Sequence, residues 1–216
     1  MKEIARYACC APEAAQPNPR TFDAPNIGAP LLAIGPELVR VPAGRRYVEA
    51  AYHEAGHAVV AHVLGASPRF ATIDNSPVVV FGSLATLSAQ ERVAIDLAGD
   101  LAERWACRWA HCNTDEEWRA KIARVRDCLG GRCDDCNASR QALVECAFND
   151  AAAIAWLRRV ADAVLHMVRT RPIWGAICSV AEDLKTSGTL DGAEISRRVI
   201  DVVKPADANH WKGLLS

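Results

Sequence analysis

Residues 52 to 60 read "YHEAGHAVV" and set two histidines, His53 and His57, four apart with Glu54 between them. On a helix each residue advances about 100°, so the two imidazoles stand roughly 40° apart on one face, one turn above the other. Both can reach a single metal ion. Imidazole nitrogen suits zinc, and a catalytic zinc keeps one position open beside three protein ligands. Glu54 lies next to that face, where it can take a proton from water that the metal has made more acidic and later hand it to a departing amine. This is the chemistry of peptide-bond hydrolysis. His62 lies about 180° around the same helix from His53, so it cannot join the site and reads as a structural or surface residue. Ala55 and Gly56 leave room for a backbone or a substrate to approach a helix that gains nothing from glycine's poor propensity; tight helix packing is the competing explanation for Gly56.

The elements that must position these groups are mostly helical. Apolar positions recur at helical spacing from about Tyr47 to Leu64, and Gly65 follows as a stop. "RFATID" and "VVVF", separated by Asn75, Ser76 and Pro77, read as a small hairpin or edge-strand pair. Ser88 with Glu91 forms a capping-box signature that opens a long, mostly apolar helix towards Ala110. After a charged stretch and the paired glycines of "CLGGRCDDCN", helical patterning resumes from Ala138 towards Val168 with an interruption near Asn149. Pro172 punctuates the chain, "IWGAICSVAEDLK" makes another helix, and Asp191 with Glu194 caps a last one. The expected fold is mainly α, with a short β-hairpin or edge strands. Its expected domains are a loose Ala/Pro-rich N-terminal arm over residues 1–44, one core domain over 45–204 and a C-terminal tail over 205–216.

Composition narrows the partners. The net charge of −1, with both signs mixed along 216 residues, provides no electrostatic footprint for nucleic acid or an anionic membrane. No run approaches the roughly 20 apolar residues of a membrane span, and the first residues lack the apolar core of a secretory signal, so a cytoplasmic location is expected. Nine cysteines is an odd number for a disulfide framework.

Four segments carry a family resemblance. "HEAGHAVVAHVLG" resembles the zinc helix of the FtsH-type metallopeptidases, the proteolytic domain of membrane-anchored AAA proteases. "LAGDLAERWA" is similar to that family's Ala-Gly-x-x-Ala-Glu helix, "DDCNASRQAL" to its third-ligand segment, and "AEDLKTSGTLDGAEI" to its closing helix, turn and helix. They occur in the family's order over about residues 47 to 203. The resemblance implies a helical zincin-type peptidase domain holding one catalytic zinc ion. It departs from the family in lacking a Gly-rich phosphate loop, since "GGRCDD" has no Lys-Ser/Thr to hold nucleotide and magnesium. No ATP is therefore expected as cofactor. No membrane anchor of the family's kind is expected either.

The resemblance favours Asp134 as the third ligand, with Asp135 and Glu103 as the alternatives. Asp134 matches the FtsH-type pattern, with Ala138 and Ala142 four and eight residues on; Asp135 would put Ser139 and Leu143 there. Glu103 would be the ligand in a thermolysin-like arrangement, and in the FtsH-type arrangement it orients a ligand histidine instead. A further class of zinc helices places Gly three and His six residues after the second His, where this chain has Val60 and Val63. Aspartates before a helix also serve as N-caps, the expected role for whichever of Asp134 and Asp135 is not the ligand. Cys128, Cys133 and Cys136 crowd the same segment, yet a structural zinc needs a fourth ligand that only Cys107 or Cys112 could supply, so free thiols are expected.

Together these features lead to an expected function: an ATP-independent zinc metalloendopeptidase acting on peptides or unfolded segments, with Glu54 as general base. The alternative is a catalytically silent peptidase-like domain used for binding or as an adaptor. A metal-free helical protein would leave the three polar residues on one face unexplained. A homo-oligomer or a partner ATPase stays open.

Overall fold

The computed structural model describes residues 31–34, 37–40, 43–74, 77–108, 114–127, 131 and 133–215. Most of the N-terminal arm, Asn75 and Ser76, and Cys112 and Cys128 lie outside the described residues. Within the stretch assigned to the arm, β1 (Leu31–Ile34) and β2 (Glu37–Arg40) pair antiparallel, Leu31 opposite Arg40. Strands of four residues are too short for an alternating pattern to stand out.

The protein is mainly helical, and helix α1 (Ala43–Val63) is its axis. Gly65, at φ 91°, ends it in a conformation that a side chain would strain. Helix α2 (Ala89–Cys107) packs along α1, opened by the Ser88–Glu91 capping box with both reciprocal bonds in place. Their contact is close because it is built from small residues: a Cβ on Gly56 would stand 2.5 Å from the Ala98 carbonyl oxygen and 2.7 Å from the Ala102 Cβ. The backbone that Gly56 admits is therefore that of α2. Around this pair stand α3 (Asp115–Arg126), α4 (Asp134–Glu145), α5 (Asp150–Arg169) and α6 (Arg171–Ser187). Helix α6 covers α1, while α4 and α5 cover α2. Asn149 caps α5 by accepting the Ala152 N–H, which is the expected interruption. The charged stretch after Ala110 carries α3, whose Trp118 and Ile122 are buried; its apolar stripe is too narrow among Asp, Glu and Arg to announce a helix.

Strand β3 (Pro68–Thr72) pairs antiparallel with β4 (Val78–Phe81), as the two β-rich segments imply. On its other edge it pairs with β5 (Thr189–Asp191), which reads as a turn in the sequence because only three residues take part. The order is β4-β3-β5, and Asp191 also caps α7 (Gly192–Ile200) in a box with Glu194. The segment assigned to a tail forms α8 (Pro205–Leu215), which buries Trp211 and Leu215 against the core. Among the described residues no helix is long and apolar enough to cross a membrane.

Candidate metal centre

Helices α1 and α2 run antiparallel, since His57 meets Ile95 while His53 meets Glu103. This orientation decides the chemistry of both imidazoles. His57 Nδ1–H donates to the Ile95 carbonyl at 2.7 Å, and His53 Nδ1–H donates to Glu103 Oε2 at 2.8 Å. With the Nδ1 proton of each ring committed, each neutral ring turns an Nε2 lone pair forward. The two Nε2 atoms lie 3.0 Å apart, with the rings at 70° to each other.

Asp134 completes the group. Its Oδ2 stands 3.2 Å from His53 Nε2 and 3.4 Å from His57 Nε2. Three electron-pair donors thus converge on one small volume, an arrangement that could hold a metal ion. A single proton bridges two such atoms, whereas a metal ion serves all three. Ligands at about 2.0–2.1 Å from a tetrahedral ion are about 3.3–3.4 Å apart; the observed spacings of 3.0, 3.2 and 3.4 Å lie at or slightly below that range. Among the described residues, His53, His57 and Asp134 are the group of three that could hold a metal ion.

Sequence position explains each contribution. Asp134 is the first residue of α4, where the unpaired N–H groups and the helix dipole favour a carboxylate. The N-cap is Cys133, without a side-chain bond. Neither aspartate therefore caps the helix as expected, because α4 begins at Asp134, four residues ahead of its apolar pattern. Asp135 turns away and pairs with Lys121 of α3 at 2.8 Å. Glu103 is buried behind His53, on Nδ1, and does not share the Nε2 side with Asp134. Glu54 is fully buried on α1 between the two histidines. His62 is half-buried, 3.3 Å from the Ser196 hydroxyl, and remote from the group.

Two residues of α2 escaped the sequence reading. Gly99 faces the donors directly: a Cβ there would stand 2.3 Å from His57 Nε2 and 2.6 Å from His53 Nε2. Its signal was a glycine inside a long apolar helix, where it costs about 1 kcal/mol relative to alanine. Asp96, Gly99 and Glu103 are spaced three and four apart and form one stripe. Burial, and then the neighbouring Asp134 carboxylate, push Asp96 up to about 8 against the pull of Arg92. Burial likewise raises Asp100, although Arg104 binds it at 2.7 Å. The wall beside the donors is rich in carboxyl groups, and burial beside Asp134 keeps the Asp96 carboxyl largely protonated at neutral pH. Cys133 and Cys136 stand at the same helix start, Cys133 half-buried and Cys136 buried.

No protein-family model matches the chain, and no curated protein matches it.

Proposed function

We propose that the protein is a zinc-dependent peptidase that hydrolyses peptide bonds in peptides or unfolded segments without ATP. The observation that carries this reading is the convergence of His53 Nε2, His57 Nε2 and Asp134 Oδ2 within 3.4 Å of one another, on the helix that also carries Glu54. Two imidazoles and one carboxylate are a donor set that suits zinc and leaves a tetrahedral position open. When bound there, the metal supplies Lewis acidity, which polarises a carbonyl and makes water a better nucleophile near neutral pH.

This chain's residues do the rest. Glu103 and the Ile95 carbonyl hold the two rings with their Nε2 lone pairs forward. Glu54 accepts the proton of the attacking water and donates it to the leaving amine nitrogen. The resemblance of residues 47 to 203 to the FtsH-type peptidases points to the same chemistry.

The test is direct: bound zinc per chain measured by atomic emission, and cleavage of an unfolded protein substrate with and without chelator. About one zinc per chain, with hydrolysis that chelation removes, is the expected result. A chain that purifies without metal and refuses added zinc would overturn the reading; tight zinc without hydrolysis would leave a silent binding domain.

A further inference from the structure

Away from the three donors, the end of α2 and the start of α6 enclose a second concavity. Trp105, Ala106, Arg108 and Trp174 line a pocket of about 550 Å³, within the roughly 300–1,000 Å³ usual for small-molecule sites. Its two indoles are held at right angles, 86° apart with centroids at 6.4 Å. Each makes a further ring contact. Tyr52 stacks on Trp174 at 5.7 Å and 11°, and the Arg169 guanidinium lies 4.6 Å over the Trp105 ring. Walls fixed in this way present a preorganised face and edge to a flat ring, the arrangements that aromatic pairs prefer.

The charge at the rim is specific. Arg108 closes α2 in the left-handed conformation, φ 56° and ψ 37°, a position usually taken by glycine. It is exposed, and among the described residues no carboxylate lies within ion-pair distance of it. Asp100, about two turns back on α2, pairs with Arg104. Arg169 is spent against the Trp105 face. One guanidinium fork therefore remains at the mouth, matched to one planar monoanion.

We infer that the pocket of Trp105, Trp174 and Arg108 binds a small ligand that carries an aromatic ring and a carboxylate. The ring packs into the corner that the two perpendicular indoles make, and the carboxylate meets Arg108. None of His53, Glu54, His57 and Asp134 lines the pocket, so the inference stands apart from the metal reading, and its readout is binding.

Calorimetric titration of the full chain tests it with N-acetyl-phenylalanine, its amide, N-acetyl-alanine and adenosine monophosphate. The aromatic acid should bind. The amide, which lacks the charge, and the alanine acid, which lacks the ring, should each bind at least about tenfold more weakly. Arg108→Gln, at an exposed helix end, should weaken the aromatic acid about tenfold and leave the thermal midpoint unchanged. Trp174→Leu should remove binding; if that variant does not fold, Arg108→Gln decides alone. Equal binding of acid and amide, tighter binding of the nucleotide, no binding of any probe at millimolar concentration, or an Arg108→Gln variant that binds as the parent does would each overturn the proposal.

Discussion

His53 Nδ1–H donates to Glu103 Oε2 at 2.8 Å across the contact between α1 and α2, and this bond determines which nitrogen of His53 faces Asp134. A carboxylate on Nδ1 fixes the tautomer and raises the basicity of Nε2. The three carboxylates near the site therefore have separable roles. Replacing Asp134 by Ala should abolish tight metal binding, and Glu103→Ala should weaken it by about ten- to a hundred-fold. Asp135→Ala should retain the metal, because that side chain is engaged with Lys121. Zinc competition against a chromophoric chelator ranks the three; retention in the Asp134 variant with loss in the Asp135 variant would reverse the assignment.

Glu54 is fully buried on the helix that holds both histidines. Glu54→Gln keeps the shape and removes the base, so zinc content should be unchanged while the hydrolytic rate falls about a hundred- to ten-thousand-fold. Single-turnover cleavage of an unfolded substrate measures it. An unaltered rate would take Glu54 out of the mechanism.

Alanine in place of glycine inside a helix normally stabilises by about 1 kcal/mol. At Gly99 the opposite is expected, since the new methyl would press on both Nε2 atoms. The rings must swing away, and the hydrogen bonds to Glu103 and Ile95 hold them against it. The Gly99→Ala variant should lose metal and melt below the parent. A variant that melts higher and binds zinc as tightly would show that the space at Gly99 has no part in the site.

His62 provides a pH signature distant from the centre. Burial lowers its pKa, so the folded state resists its protonation. The unfolded chain then binds more protons as pH falls below about 6.5, and stability declines with it. This contribution is fully present above the unfolded value and is lost on acidification. Thermal midpoints at pH 7 and pH 5 should differ less in His62→Gln than in the parent; an equal difference would assign the acid sensitivity to other groups.

Local signals in the chain were enough to place most helices. The Ser88–Glu91 and Asp191–Glu194 boxes, the glycine stop at Gly65 and the cap at Asn149 all act within a few residues of themselves, and each is found where its residues imply. The same locality brought His53 and His57 to one helix face, because four residues make about one turn whatever surrounds them. Segments whose pattern is weak or very short were not legible: α3 among its charges, β5 with three residues, and α4 four residues ahead of its apolar stripe.

The partners of the two histidines belong to another level. Asp134 is 81 residues from His53 and Glu103 is 50, and Asp134, Asp135 and Glu103 are chemically alike in the sequence. Only packing separates them. The antiparallel contact of α1 with α2 sets Glu103 behind His53, the start of α4 brings Asp134 to the Nε2 atoms, and Lys121 draws Asp135 aside. A helical periodicity states which residues share a face; which face meets which is decided by side-chain volume at the contact, here by Gly56 and Gly99, whose missing methyls let the helices close around the donors.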